Sequence, residues 1–421
     1  MNSTMHIGIV GPIATADIAH LIDRDVDGLP RGYAGAPLLA TLIGELLQRG
    51  HRVSAFTLSN DLPLNTSSLT TVQGDNFSIS FCPMRPRAWR PNGWLPGRIV
   101  DLYRFERQAL QKAIAQVAPD VVHAHWAYEF ALAALATGIP HVVTCHDSPY
   151  VIARLASRSR PTRSAYRWLR VVMARKVLRE AQCITAVSPY MRDEVQALAR
   201  AQIVIVPNPV DDLAFSLNRA RQAPVVPRLA MVCNGWGVRK NPEPALMAFD
   251  QLRRQKPAAE LHLYGHDFGP GETAELWCAA RGIQDGMVFH GAIPHQPLIE
   301  SLANCDLLLH SSLEESFGLV IAESMAMGIP VVAGESSGAV PWVVGQHGVL
   351  CDVHAPATIT RALLQALEPD RYAQLSREGS TAAQARFSTA NVVDQFYLLY
   401  TQALEDQASV AARMVSPRNA V

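Results

Sequence analysis

Apolar residues fall in short runs at 7–10, 51–57, 77–82, 120–125, 141–145, 183–187 and 203–206, and after a gap again at 229–233, 260–264, 287–290, 306–310, 330–333 and 349–351. Runs this short, set between stretches with apolar residues at helical spacing, predict buried parallel strands joined by crossover helices. The helical pattern is plain at 37–49, closed by Gly50, at 318–327, closed by Gly328, and at 356–368, 370–387 and 389–405. The gap, rich in Ala, Arg and Pro up to Pro227, reads as a linker. The predicted fold class is α/β, with two doubly wound Rossmann-like domains, and the cleft between two such domains is the default place for a ligand. A chain of 421 residues agrees, being too long for one core and suited to two domains of about 200 residues each. The boundaries follow as 1–210 and 211–388, leaving 389–421 as a terminal helix with Val392, Val393, Phe396, Leu399 and Tyr400 on its apolar side, and a tail from 407 that lacks periodicity.

Candidate chemistry gathers where predicted strands end, the side on which open α/β sheets bind ligands. After the run 306–310, Glu315 falls in a loop and Glu323 in the second turn of the helix that follows. Two carboxylates placed there can each accept hydrogen bonds from sugar hydroxyls, and the free amides of Phe317, Gly318 and Leu319 at the helix start suit an anion. His123, His125 and Trp126 follow one strand of the first half, His146 and Asp147 the next. Gly32 and Gly35 bound a turn in the long loop after the first strand. In that loop Asp23, Asp25 and Asp27 form overlapping D-x-D triplets that suit a divalent ion, although an acidic cluster in a polar loop is usually solvated.

Charge and composition narrow the partners. The 37 basic and 37 acidic residues cancel, which argues against a general nucleic-acid binder. Locally the balance breaks: Arg154, Arg158, Arg160, Arg163, Arg167, Arg170, Arg175, Lys176 and Arg179 precede the first acid at Glu180, and Arg85, Arg87, Trp89, Arg90, Trp94 and Arg98 form a second basic and aromatic patch. Such patches suit peripheral contact with anionic lipid or an acidic acceptor. Seven scattered cysteines without a C-x-x-C pair, the absence of an eighteen-residue apolar run, and a first strand that begins at Ile7 suggest a cytoplasmic protein, at the inner face of the membrane if the patches bind lipid.

The stretch from Ser312 to Val332, with Glu315-Ser-Phe-Gly-Leu-Val-Ile-Ala-Glu323, Ser324-Met-Ala-Met-Gly328 and Pro330-Val-Val, resembles the E-x7-E signature of retaining glycosyltransferase family four, whose fold is GT-B. The likeness extends over nearly all of the chain. Thr144-Cys-His146-Asp147 resembles the family's acceptor-side histidine motif, Val206-Pro-Asn-Pro-Val-Asp211 the segment leading out of its first domain, and Asn234-Gly-Trp-Gly-Val-Arg-Lys240-Asn-Pro its donor-phosphate loop. The resemblance implies a terminal helix crossing back to the first domain. It also implies transfer of a sugar with retention from a UDP-, GDP- or ADP-sugar to a hydroxyl of a glycan, lipid-linked or small-molecule acceptor, with no metal or other cofactor. It assigns Glu315 to the donor sugar, Lys240 to the diphosphate, Glu323 to the ribose, and Gly265 and Gly291 to the nucleotide. Gly32, Gly35, His125, His146 and Asp147 fall on the acceptor side, with His146 beside the sugar. One departure stands out: the family's usual arginine position is Gly235 here, leaving Arg239 to supply the second charge. A nucleotide-sugar epimerase using His125, His146 and Asp147, or a binding module without catalysis, remains open on the sequence alone.

Overall fold

The computed structural model describes residues 4–65, 69–156 and 161–415. It divides into two compact units, Met1–Val206 with Val392–Val421, and Pro207–Asn391.

The first unit carries strands β1 (His6–Val10), β2 (Arg52–Ser59), β3 (Thr70–Gly74), β4 (Phe77–Pro83), β5 (Val121–His125), β6 (His141–Cys145), β7 (Ile184–Ala186) and β8 (Ile203–Ile205), in the order β3-β4-β2-β1-β5-β6-β7-β8. All neighbours are parallel except β3 and β4. That antiparallel pair departs from the expected all-parallel sheet. Its edge strand Thr-Thr-Val-Gln-Gly buries only Val72, so no apolar run marked it, and Asn76 makes the turn with φ of 51°. One face of the sheet is sealed by the helix Leu38–Gln48, whose Leu39, Leu42, Ile43 and Leu46 recur at helical spacing and are buried. Val392, Val393, Phe396, Leu399 and Tyr400 of the helix Thr389–Val415 join the same core. This helix outlasts the expected 389–405, so the backbone of the supposed aperiodic tail stays helical to Val415.

Two arginines assigned from the sequence to exposed basic patches are instead turned inward, Arg85 buried and Arg170 half-buried. Arg85 is 0% exposed and gives its guanidinium to Glu106, Asp101 and the Pro96 carbonyl. Arg170, on the helix Pro161–Glu180, pairs with buried Glu129 at 3.0 Å and lies 3.9 Å from the Tyr128 ring centroid. Arg158 and Arg160 lie outside the described residues. The exposed remainder of the patches includes Arg87, Trp89, Arg90, Arg163, Trp168 and Trp94, the last at 83%. All seven cysteines are free, and all but Cys183 are buried. Among the described residues no helix is long and apolar enough to cross a membrane.

The second unit holds β9 (Arg228–Val232), β10 (Glu260–Tyr264), β11 (Met287–Gly291), β12 (Leu307–His310), β13 (Val331–Gly334) and β14 (Val349–Cys351), all parallel, in the order β11-β10-β9-β12-β13-β14. The chain builds outward from β9 in one direction, then returns to β12 and builds in the other. The loops leaving β9 and β12 therefore flank a topological switch point, which opens a crevice at the strands' carboxyl ends. The first unit has the same feature between β1 and β5, so its loops after Val10 and His125 flank a switch point too.

Candidate active site

In the second unit the loops after β9 and β12 are laced together. Asn241, at φ of 49°, donates its side-chain amide to the Ser311 and Val353 carbonyls, Ser311 Oγ donates to the Lys240 carbonyl, and Leu313 N donates to the Arg239 carbonyl. This lacing brings the cations of one loop onto the carboxylates of the other. Lys240 Nζ lies 2.6 Å from Glu315 Oε1, and Arg239 Nη1 lies 3.4 Å from Glu314 Oε2 and 3.9 Å from Glu315 Oε2. His310, at the end of β12, approaches Glu315 Oε1 to 3.6 Å. The Glu315 backbone is itself fixed, since its carbonyl accepts from Ala339 N at 2.9 Å. Burial alone would raise the Glu315 pKa, but the His310 contact and the Lys240 charge outweigh it and hold the carboxyl well below the ordinary range. Glu314 goes the other way, raised chiefly by burial.

Gly318 caps the helix Leu319–Ala326 at φ of 90°, a conformation that suits glycine, and a Cβ there would meet Ile321 Cδ1 at 3.1 Å. The first amides of that helix have no acceptor within it, so the helix start next to Glu315 offers donors to an anion. Phe317 contributes backbone only, because its ring is buried edge-on to Phe387 and Trp342. Glu323 is buried on the same helix and accepts from His295 Nε2 at 2.7 Å. Nothing in the sequence singled out His295, which opens the helix His295–Leu302. Gly265 and Gly291, at the ends of β10 and β11, join through Gly265 N to the Gly291 carbonyl at 2.8 Å. A Cβ at Gly265 would stand 2.0 Å from the Cys233 carbonyl, so the chain tolerates only glycine there. Gly235 has φ of 97° and leads to Trp236, whose N–H donates to Asp267 and whose ring packs on Phe268 and Trp277.

In the first unit Gly32 takes φ of 71° and comes so close to Ile13 that a Cβ would lie 2.3 Å from its carbonyl oxygen, whereas Gly35 has open space around it. Side chains after β5 and β6 form a chain of rings. His125 Nδ1 and His146 Nε2 are 2.9 Å apart, Trp126 stacks on His146 at 4.2 Å, and Asp147 accepts from Tyr128 Oη at 2.8 Å. His123 is spent on Tyr400 and Thr144. Burial, with help from His123 and His146, drives the His125 pKa well down, so its ring is neutral. Its buried Nε2 has no partner, and a proton there would be an orphaned donor. The proton therefore sits on Nδ1 and points at His146. Asp147 is raised by its burial, against the Tyr128 hydrogen bond. Asp23, Asp25 and Asp27 are exposed, and among the described residues no three His, Cys, Asp or Glu side chains are arranged to hold a metal.

The Glycosyltransferase Family 4 model matches residues 37–212, and the Glycosyl transferases group 1 model matches 229–383. The chain belongs to glycosyltransferase family four. The D-inositol 3-phosphate glycosyltransferase of Stackebrandtia nassauensis is 28% identical over 401 residues, covering 89% of this chain and 86% of that one. Among solved structures, sucrose-phosphate synthase from Thermosynechococcus elongatus superposes with a TM-score of 0.69 at 19% identity, covering 96% of this chain and all of that one. An Anabaena protein, Alr3699/HepE, solved in complex with UDP and glucose, superposes at 0.63 with 17% identity, covering 94% and all of the two chains. These place the transferase in the GT-B fold. The family models decide between transfer and epimerisation in favour of glycosyl transfer.

The second unit's site gathers fixed positive groups around one carboxylate. Departure of a nucleoside diphosphate builds negative charge on phosphate, and fixed positive groups lower that barrier. Lys240, Arg239 and the helix start at Gly318 are the positive groups around Glu315, and both cations are engaged by carboxylates.

Proposed function

We propose that this transferase binds the diphosphate of its donor with Lys240, Arg239 and the amides of Gly318 and Leu319, the sugar hydroxyls with Glu315 and the ribose with Glu323. The observation that carries the reading is a half-buried carboxylate held 2.6 Å from a lysine beside a helix start, at the switch point of the sheet. Gly265 and Gly291 let the backbone approach the base. On the acceptor side, Gly32 and Gly35 shape the loop, His146 lies beside the sugar with its tautomer set by His125, and Asp147 meets acceptor hydroxyls. The leaving phosphate takes the acceptor's proton on the face from which it departs, giving retention. Lys240 and Arg239 supply the positive charge that a divalent ion supplies in other transferases, so no cofactor is required. Each well-placed donor of this kind is worth roughly 2.7–4 kcal/mol of barrier.

A thermal-shift screen against UDP, GDP and ADP tests the donor site and names the base. A ligand at a hundred times its dissociation constant adds about 2.7 kcal/mol of stability, and one of the three is expected to raise the midpoint while the others do less. No response to any of them removes the donor-site assignment.

The acceptor is a glycan, a lipid-linked saccharide or a small molecule, met in the cytoplasm at the inner membrane face. Support for the membrane comes from Trp89, Trp94 and Trp168, all exposed, with Arg87, Arg90 and Arg163 exposed in the same two segments. The full chain is expected to sediment with vesicles containing phosphatidylglycerol and to leave them in high salt, since each basic residue near such a surface adds about 1 kcal/mol that salt screens. Trp94→Ala with Arg87→Ala is expected to weaken sedimentation severalfold. Equal binding to neutral vesicles, or none to either, overturns the membrane contact.

A further inference from the structure

We propose that His310 is the residue that holds the Glu315 carboxylate in place once Lys240 turns to the donor's diphosphate, which makes it a positioning residue for the sugar end of the donor. The inference rests on the reading that Glu315 meets the donor sugar and Lys240 the diphosphate.

Two donors converge on one oxygen. Glu315 Oε1 has Lys240 Nζ at 2.6 Å and His310 Nε2 at 3.6 Å, while Arg239 reaches only Oε2, at 3.9 Å, and is shared with Glu314. The cation that satisfies Glu315 is thus one that a diphosphate would also claim. A diphosphate presents more negative charge to Lys240 than a single carboxylate does, so its arrival weakens the lysine's hold on Oε1. The Glu315 side chain is only 14% exposed, and a carboxylate so placed that loses its main donor either finds another or loses its orientation. His310 is the donor already next to it, short of hydrogen-bond distance by about 0.7 Å.

The imidazole itself carries the second part of the argument. His310 is 4% exposed at the end of β12, where the neighbouring strand residues Leu307, Leu308 and Leu309 are plain core leucines. Its Nδ1 is enclosed and has no hydrogen-bond partner. An orphaned ring nitrogen is a cost that a leucine at this position would avoid, so packing alone does not explain a histidine. What the ring offers instead is an N–H at Nε2 facing Glu315. A proton on Nε2 also leaves Nδ1 as a bare acceptor, which costs less buried than an unpaired N–H. The strand fixes this placement: His310 pairs with Ala333 in β13, and the chain runs through Ser311, tied to Lys240, before reaching Glu315. His310 thus stays where it is while the lysine's flexible stem moves.

The test compares the full-length parent with His310→Leu and His310→Gln. Dissociation constants are measured for UDP, GDP and ADP and for UDP-glucose, GDP-mannose and ADP-glucose, with thermal midpoints as a check on folding. His310→Leu is expected to leave affinity for the preferred nucleoside diphosphate within about twofold while weakening the matching nucleotide sugar about tenfold or more, the size of a lost hydrogen bond to a charged group. His310→Gln, which places an amide N–H near the position of Nε2, is expected to recover most of that loss. Parallel losses of nucleoside diphosphate and nucleotide sugar would mark His310 as a packing residue and overturn the inference, as would an unchanged nucleotide-sugar affinity in the leucine variant. A parent protein that binds no nucleoside diphosphate overturns the donor-site reading, and the role of His310 falls with it.

Discussion

An Arg85→Met variant is expected to melt roughly 10 °C below the parent, because removing one partner of a buried ion pair costs about 3–5 kcal/mol and a domain of this size loses a few degrees per kcal/mol. Arg85 is fully enclosed, and its backbone N–H and guanidinium together make three hydrogen bonds to Glu106, which is just as buried. The other face of the guanidinium meets both oxygens of Asp101 and the Pro96 carbonyl. Methionine fills much of the same volume, so the loss is mainly electrostatic: two carboxylates are left without their cation, one of them with no access to water. The same argument predicts partial rescue. Adding Glu106→Gln and Asp101→Asn to Arg85→Met removes the stranded charge and should restore several degrees. Arg87→Met, two residues away and exposed, is expected to fall within about 0.5 kcal/mol of the parent. Calorimetry, with hydrogen exchange over Arg104–Val117 to assign the transition, reads all three. A melting point for Arg85→Met equal to that of Arg87→Met would show that the buried pair contributes nothing net.

That arginine also shows where sequence reasoning reaches its limit. Alternation of apolar runs and helical patterns placed most strands to within a residue or two, because a buried parallel strand must be apolar on both faces. Edge strand β3 escaped, since a strand with one buried side chain has no run to detect. Arg85 and Arg170 carry the same local signature as Arg87 or Arg163, a cation among aromatics. What separates them is a carboxylate that folding brings from Asp101, Glu106 or Glu129, and chain spacing does not announce it. At the candidate site, Glu315, Glu323, Gly318 and Lys240 were legible because a long local motif and a family resemblance carried them. The lacing of Lys240 to Glu315, 75 residues apart, is visible only in the fold. His310 was within reach, for the rule that drew attention to His146, a histidine at a strand's carboxyl end, applies to it equally. His295 had no such mark, and only its 2.7 Å contact with Glu323 identifies it.

Lys240→Met should lower kcat/KM with the matched nucleotide sugar by roughly 10²- to 10³-fold, the loss expected when one preorganised donor to the developing charge is removed. Lys240 also has a structural partner, so a fall in activity alone would not separate chemistry from folding. Stability against pH separates them. Glu315 has a folded pKa below its unfolded value of about 4.3, so the stability it contributes is present above that pH and is lost as pH falls through the lower folded value. Without Lys240 that depression shrinks, leaving His310 as the nearest donor. The variant should therefore be less stable than the parent at pH 7, and the gap should narrow on acidification below about pH 4, where protonation leaves Glu315 little to lose. Adding Glu315→Gln removes the stranded charge, and the double variant is expected to regain neutral-pH stability while its nucleoside diphosphate affinity stays low. Recovery of affinity together with stability would mean that Lys240 only props up Glu315. Stability regained without affinity assigns the lysine to the diphosphate, with its ion pair to Glu315 the resting state that the donor displaces.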